Sequence, residues 1–171
     1  KPTINGLNKE GIDYRGFIFI GLMNCNGEPC VIEYNCRMGD PETEVVIPRI
    51  ESDFLDLLIG VGNQTLNTKE FLTTKQTATT VVMVSGGYPE EFEKGLVVDG
   101  LNNTNDSLIF HSGTKFNEEK IVTNGGRVFA ITSFGNTINE AVNKSFKNAE
   151  IINYSNKYYR NDIGKDLINL K

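Results

Sequence analysis

One polar stretch, residues 30–44, limits most strongly what this chain can fold into and do. It reads Cys-Val-Ile-Glu-Tyr-Asn-Cys-Arg-Met-Gly-Asp-Pro-Glu-Thr-Glu, a strand-like sequence that ends in a polar turn. Because side chains alternate between the two faces of a strand, Glu33 and Asn35 are predicted to share one face. A carboxylate and an amide oxygen placed in this way can converge on one hard cation. The alternative is a strand with a solvated polar face, since Glu-x-Asn is a common pattern.

The stretch from Glu33 to Thr43 resembles the signature of the glycinamide ribonucleotide synthetases, also called phosphoribosylamine–glycine ligases, of the ATP-grasp superfamily. Further matches to this family follow in order along nearly the whole chain. They lie at residues 11–16, 21–23, 87–89, 94–95, 110–114, 125–128 and 160–164. Chains of this family are much longer, so the resemblance implies that this chain corresponds to the C-terminal part of one.

The resemblance implies an ATP-dependent carboxylate–amine ligase of purine biosynthesis. In this family ATP converts the glycine carboxylate into an acyl phosphate, which the amine of phosphoribosylamine then attacks. Mg²⁺, or Mn²⁺ in its place, is expected to neutralise charge on the phosphates. Glu33 and Asn35 are the expected metal ligands and thereby the nucleotide-binding residues. Because strand 17–23 carries no Asp or Glu, phosphate oxygens and water are expected to complete the metal shell.

The implied partners are the three small-molecule substrates ATP, glycine and phosphoribosylamine, together with the missing N-terminal part of the same chain. Because ATP-grasp enzymes hold the nucleotide between two lobes, this piece by itself is expected to be inactive. Two alternatives remain open. One is another ATP-grasp carboxylate–amine ligase, against which residues 40–42 and 110–114 argue, and the other is a non-catalytic interaction or stabilising module.

The turn that follows the strand contains candidate catalytic and substrate-binding residues. Arg37, a planar and permanently charged donor, can hold a carboxylate or phosphate, and Asp40 is the second candidate catalytic residue. The alternative for Arg37 is an ion pair with Asp40 or Glu42. Gly39 is expected to adopt a backbone conformation that residues with a side chain rarely adopt. Pro41 and Glu42 are predicted either to face the glycine or amine site or to begin a helix.

Two further substrate-site candidates lie in the second half of the chain. His111, the only histidine, ends a predicted strand, and imidazole titrates near neutrality. Its alternative role is a hydrogen bond within a structural turn, which the sequence favours. Arg127 follows two glycines. It is predicted either to approach a substrate phosphate or to be a surface residue after a hairpin turn.

Composition argues against several kinds of partner and location. The 171 residues carry a net charge of −5, and Lys and Arg are scattered, which argues against nucleic acid or a membrane surface as a partner. No apolar run reaches the length needed to span a bilayer. The three cysteines match neither a disulfide framework nor a zinc site, so a reducing cytoplasm is the expected location.

The predicted fold class is α+β, in two parts. The resemblance implies that residues 1–75 are the C-terminal part of an ATP-grasp domain, with antiparallel strands and helices. Residues 76–171 are predicted to form a small β-rich, barrel-like domain. The first part contains a hairpin of strands 17–23 and 30–35, expected in a mostly buried sheet around an Asn-Gly turn.

Patterns of turn and capping residues define the remaining predicted elements. Ser52 or Asp53 is predicted to cap a helix with apolar residues between 54 and 61. Thr137 and Glu140 form a capping box that opens a second amphipathic helix. Further strands are predicted at residues 77–85, 96–98, 108–111, 120–123, 127–134 and 151–154.

Overall fold

The structure is a computed structural model that describes residues 2–168, and these divide into two compact units. Unit 1 holds the described residues up to 42 together with 50–73, and unit 2 holds 43–49 and the described residues from 74 onward. The helices are α1 (Pro2–Lys9), α2 (Thr43–Val46), α3 (Phe54–Gly62), α4 (Ile138–Ile151) and α5 (Lys165–Ile168). The strands are β1 (Phe19–Cys25), β2 (Glu28–Asn35), β3 (Thr77–Ser85), β4 (Ser107–His111), β5 (Thr114–Asn117), β6 (Lys120–Thr123), β7 (Arg127–Gly135) and β8 (Lys157–Tyr158).

The predicted α+β class is confirmed, and all pairs between these strands are antiparallel. The described strands form one four-stranded sheet in the order β4-β7-β3-β8 and two separate two-stranded sheets, β1-β2 and β5-β6. The four-stranded sheet is open, so the described part of unit 2 contains no closed barrel. The predicted division after residue 75 stays a prediction.

Unit 1 contains the predicted hairpin, whose tight turn consists of Asn26 and Gly27. Both residues have positive φ angles, 56° and 96°, as a two-residue hairpin turn with the twist of the flanking strands requires. The pairing runs from Cys25 opposite Glu28 to Phe19 opposite Asn35. A register shift lies between Gly21 and Leu22, so that Leu22 pairs with Val31 and Gly21 with Glu33.

The prediction that this hairpin lies in a mostly buried sheet is wrong for the described chain. Most of its residues are exposed, including Leu22 at 57% and Tyr34 at 53% of their accessible surface. The apolar composition that suggested burial is present, but β1 and β2 pair only with each other among the described strands. A two-stranded sheet has no further strand or layer of its own to cover its faces.

Helix α3 of unit 1 begins and ends as its sequence predicts. The Asp53 side chain accepts a hydrogen bond from the Asp56 backbone N–H at 3.0 Å, which satisfies an otherwise unpaired amide of the first turn. The helix ends at Gly62, with Asn63 as its C-cap. Leu57 and Gly60 form its buried side.

Unit 2 is built around β7, which pairs with β3 on one side and β4 on the other. Met83 lies opposite Phe129 and Val81 opposite Ile131, and all four side chains are fully buried in the core. Helix α4 packs against β3 and β7. Strand β3 matches its predicted range of residues 77–85.

Helix α4 packs through a polar contact as well as apolar ones, because the Ser145 hydroxyl donates to the Ser133 hydroxyl at 2.8 Å. On the other face of β7, the Thr132 hydroxyl donates to the Glu44 carbonyl of α2 at 2.8 Å. Central strand β7 is therefore buried on both faces. This explains why its residues from 128 to 133 are all buried, including Thr132 and Ser133, rather than alternately buried and exposed.

The predicted strand at 151–154 is wrong. Helix α4 continues to Ile151, and the irregular segment that follows forms only an isolated antiparallel bridge from Asn153 to Asp99, with Ile152 and Tyr154 buried. Both side chains enter the core of unit 2 from an irregular segment and not from a strand. The last short strand is β8 instead. Residues 96–98 contribute only an isolated bridge from Val97 to Val122.

The helices of the described chain are short. Helix α4, with 14 residues, is the longest in the described range. No helix within residues 2–168 combines the length and the apolar character needed to cross a bilayer.

Candidate metal and nucleotide site

Strand β2 brings together the two side chains that the sequence singles out. The Asn35 side-chain N–H donates to Glu33 Oε1 at 3.1 Å, which requires that both side chains lie on the same face of the strand. Glu33 is exposed and Asn35 is half-buried, so oxygen atoms of this pair are accessible to an ion. The geometry is the one that the alternation of strand residues predicts. The role of the pair as metal ligands stays a prediction.

Gly21, on β1 directly opposite Glu33, makes room for the acidic side chain. A Cβ atom at Gly21 would lie 2.9 Å from Glu33 Cγ, closer than real side chains approach. The Glu33 side chain therefore crosses over the bare backbone of β1, and any larger residue at position 21 would displace it. If the strand pairs are counted from the tight turn without a register shift, Gly21 lies opposite Ile32. Sequence reasoning therefore missed that Gly21 leaves space for the Glu33 side chain.

Arg37 lies in the turn after β2, because the strand ends at Asn35. Its guanidinium donates to the Met38 carbonyl at 2.9 Å, which holds the side chain against its own turn. Arg37 remains exposed and close in sequence to the ligand pair.

Gly39 is required because of space rather than because of backbone conformation. It is buried, and its φ angle lies outside the left-handed region, so the predicted reason for a glycine here is wrong. A Cβ atom at this position would lie 2.8 Å from the Glu42 carboxyl carbon and 3.2 Å from the Phe19 ring. The Glu42 carboxylate thus folds back over Gly39.

Asp40, Pro41 and Glu42 form a turn, and the alternative that Pro41 begins a helix is wrong. The Asp40–Pro41 peptide bond is cis, and α2 begins only at Thr43. Asp40 and Glu42 are both exposed. The turn therefore carries two accessible carboxylates just beyond the proposed ligand pair.

Tyr14 connects this turn to the beginning of the hairpin, a role that sequence reasoning also missed. Its hydroxyl donates to the Phe17 carbonyl at 2.6 Å and lies 3.1 Å from the Cys36 carbonyl oxygen. Cys36 directly follows Asn35, so the contact restrains the backbone next to a proposed ligand. A Cβ atom at Gly16 would lie 3.0 Å from the same hydroxyl. The only sequence signal was the family resemblance of residues 11–16.

His111 and Arg127, the two candidates from the second half of the chain, lie in unit 2. His111 Nδ1 and the Thr114 hydroxyl form a 2.9 Å hydrogen bond, and the imidazole packs edge-on against Phe129, with 5.0 Å between ring centroids. These contacts are those of a structural turn. Arg127 is exposed at the start of β7, and its carbonyl accepts a 2.8 Å hydrogen bond from the Gly113 N–H. Substrate roles for both residues stay predictions.

The donor set at Glu33 and Asn35 fits a hard divalent cation. Both supply oxygen atoms, and Mg²⁺ commonly takes only one or two protein ligands and completes its shell with phosphate and water. Within residues 2–168, no three His, Cys, Asp or Glu side chains come together as a metal-binding group. Phosphate oxygens and water are therefore the expected remaining ligands of an ion held by Glu33 and Asn35.

Comparison with known families matches the C domain of phosphoribosylglycinamide synthetase to residues 78–166, just over half of the chain. The chain belongs to this family. The ATP-grasp (A) domain of phosphoribosylglycinamide synthetase also matches residues 1–43, which contain the Glu33 and Asn35 pair. The two matches of the phosphoribosylglycinamide synthetase family follow each other in the order A domain, then C domain.

Individual relatives carry names that agree with this family. The chain is 41% identical over 167 residues to "Phosphoribosylamine--glycine ligase" of Fusobacterium nucleatum, a match that covers 95% of this chain and 39% of that protein. It is 41% identical over 180 residues to "Bifunctional purine biosynthetic protein purD" of Dictyostelium discoideum, covering 99% of this chain and 22% of that one. The chain thus spans two fifths or less of the length of these two relatives.

A solved structure shares the fold. The crystal structure of phosphoribosylamine–glycine ligase from Thermotoga maritima superposes with a TM-score of 0.80 at 36% sequence identity. The match covers 94% of this chain and 40% of that chain. The arrangement of elements described above is therefore that of the corresponding part of a phosphoribosylglycinamide synthetase.

Proposed function

We propose that this chain is part of an ATP-dependent ligase that joins glycine to 5-phosphoribosylamine and yields glycinamide ribonucleotide, ADP and phosphate. The observation that carries the proposal is the Glu33 and Asn35 pair. Its side chains meet at 3.1 Å on an exposed strand of a chain that belongs to this family. The names of the relatives support the substrates, since they describe phosphoribosylamine–glycine ligases.

The proposed reaction has two steps. A glycine carboxylate oxygen attacks the γ-phosphorus of ATP, and ADP leaves. The amino nitrogen of phosphoribosylamine then attacks the acyl carbon, loses a proton, and phosphate departs with its electron pair. Mg²⁺ or Mn²⁺, when bound, neutralises charge on the phosphates that would otherwise repel the carboxylate.

Different residues of this chain are proposed to bind the metal ion, the nucleotide and the substrates. Glu33 and Asn35 would hold the metal ion and, through it, the nucleotide. The Arg37 guanidinium is suited to hold a carboxylate or phosphate, because it is permanently charged and donates several parallel hydrogen bonds. The exposed carboxylate of Asp40 is suited to face the amine. Gly39, Pro41 and Glu42 shape the turn that presents these groups. His111 and Arg127 are further candidates for substrate contact.

The exposed apolar face of the hairpin supports a further partner, the remainder of a longer chain. Ile20 lies opposite Tyr34 and Leu22 opposite Val31, and each of the four is at least 42% exposed. An isolated two-stranded hairpin is marginally stable in water unless its apolar face is covered. We propose that the part of the family's length that this chain does not span covers this face, and that the chain alone is inactive.

The expected location is the cytoplasm, as for a protein with unpaired cysteines. Cys25, Cys30 and Cys36 are all free and exposed in the described chain. Exposed thiols persist unpaired in a reducing compartment. The three cysteines therefore support the proposed location.

The variant Glu33→Gln in the full-length protein tests the proposed metal role. Removing the negative charge while keeping the shape is expected to lower Mg²⁺ affinity by about 10–100-fold or more, because even groups that only support a ligand contribute that much. The matched control is Glu28→Gln, an exposed glutamate of the same strand, at its turn end opposite Cys25. Amide synthesis is measured as a function of Mg²⁺ concentration.

Three outcomes would contradict the proposal. A Glu33→Gln enzyme with the wild-type rate at limiting Mg²⁺ would remove Glu33 from the site, and equal losses in Glu28→Gln would show a general effect of charge. Detectable ligase activity from the 171-residue chain alone would refute the claim that it is inactive by itself.

A further inference from the structure

The strand pairing next to the tight turn places three sulfur-containing side chains on one face of the hairpin. Met23 lies directly opposite Cys30, and Cys25 is two residues beyond Met23 on the same strand. Directly paired residues of an antiparallel sheet point to the same side, as do residues two apart. Met23, Cys25 and Cys30 therefore share one face, close to the tight turn.

The sulfur atoms on this face are accessible and near each other. All three side chains are exposed, Met23 to 55%, and both cysteines are free thiols. The register makes Cys25 and Cys30 diagonal neighbours across the two strands. A hydrogen bond with Cys30 is the main cause that raises the pKa of the Cys25 thiol. Cysteines on adjacent strands of a short hairpin are held there by the backbone pairing rather than by chance encounters of flexible loops.

We propose that Cys25, Cys30 and Met23 form a binding site for one soft cation such as Cu(I). Thiolate and thioether sulfurs are the ligands that Cu(I) prefers over nitrogen and oxygen. Each thiol releases its proton to the solvent when its sulfur binds the ion. The product is a complex with three sulfur ligands, in which neither the protein nor the ion changes oxidation state.

The composition of the cluster selects a soft ion over zinc or magnesium. A structural zinc site takes four ligands, usually Cys and His. No third His, Cys, Asp or Glu joins the two cysteines among the described residues. Thioether sulfur is a poor ligand for hard ions, so Mg²⁺ is expected at the Glu33 and Asn35 oxygens and not here.

The proposed sulfur site is independent of the proposed ligase activity. Because Gly21 pairs with Glu33 and Met23 with Cys30, Cys30 and Glu33 lie on the same face of the hairpin, two β1 positions apart. The hairpin therefore presents a soft donor set near its turn and a hard donor set toward the other end. Binding of Cu(I) can be measured on protein that carries out no catalysis at all.

Competition for Cu(I) against a chromophoric chelator, under anaerobic conditions and with the full-length protein, tests the proposal. We expect one Cu(I) per chain. Cys25→Ser and Cys30→Ser are each expected to weaken binding by more than about 100-fold, beyond the loss typical of supporting residues, and Met23→Leu by about 10-fold. The matched control is Cys36→Ser, which removes the third exposed thiol and is expected to leave the affinity unchanged. Far-UV circular dichroism of each variant shows whether it is folded.

X-ray absorption at the copper edge of the wild-type complex provides a measurement that needs no variant. A first shell of three sulfur atoms supports the site. A shell containing nitrogen or oxygen, an equal loss of affinity in Cys36→Ser, or binding that persists in Cys25→Ser would each overturn it. A change from monomer to dimer on addition of Cu(I), seen by size-exclusion chromatography, would also overturn it, because the ion would then bridge two chains.

Discussion

Replacing Phe129 by alanine is expected to destabilise unit 2 strongly. Phe129 is fully buried, with its ring 5.0 Å from that of His111 and 6.5 Å from that of Tyr154, centroid to centroid. Truncating a buried phenylalanine to alanine typically costs about 3–5 kcal/mol, because transfer free energy is lost and a cavity remains. A domain of this size is stable by about 5–15 kcal/mol, so the loss is a large fraction of the total.

Urea denaturation followed by far-UV circular dichroism measures this loss. The chain contains no tryptophan, so fluorescence offers only tyrosine as an intrinsic probe. With a denaturant slope of about 2 kcal/mol per molar urea, a loss of about 4 kcal/mol lowers the unfolding midpoint of unit 2 by about 2 M. Phe129→Leu keeps most of the buried volume and is expected to lower it far less.

Phe116→Ala is the matched control, since Phe116 is 76% exposed on β5. A surface substitution of this kind is expected to change stability by no more than about 0.5 kcal/mol. If Phe129→Ala and Phe116→Ala shifted the midpoint equally, the assignment of the core around β7 would be refuted.

Three further predictions concern other contacts. Tyr154→Phe removes the 3.0 Å hydrogen bond from a buried hydroxyl to the Val84 carbonyl, and is expected to cost about 1–3 kcal/mol in urea denaturation, whereas an unchanged midpoint would contradict it. The Lys144 ammonium lowers the pKa of Glu140, so the stabilisation it gives is present above pH 4.5 and is lost as the pH falls through the lowered value. The wild-type protein is therefore expected to be more stable than Glu140→Gln at neutral pH and to lose this difference as the pH falls. A difference between their urea unfolding midpoints that does not change with pH would contradict this prediction. Gly39→Ala is expected to cost about 1–3 kcal/mol by overpacking, visible as a lower thermal midpoint, and an equal midpoint would show that the turn relaxes freely.

Local patterns predicted those elements whose signals come from neighbouring residues. The Asn-Gly turn, the Asp53 cap of α3 and the Thr137 cap of α4 depend on contacts within four residues along the chain. Strand β3 was equally clear because β-branched residues fill it almost throughout. These elements were therefore predictable from the sequence.

Contacts between distant segments explain the predictions that failed. Ile152 and Tyr154 resemble strand residues because an irregular segment inserts both into the core of unit 2. Gly39 was expected to have an unusual backbone conformation, but the Glu42 and Phe19 side chains are what exclude a larger residue. The roles of Tyr14 and Gly21 likewise arise across strands and turns, and no local pattern reveals them.

The sequence alone determined that Glu33 and Asn35 point the same way, because two residues apart on a strand always do. It also determined the family, through motifs spread along the chain. Only the tertiary structure decided which other side chains lie on the face of the hairpin that carries Glu33 and Asn35. The extra residue at the register shift reverses the alternation between Cys30 and Glu33, so the thiols and the acid, which simple counting places on opposite faces, lie on the same one.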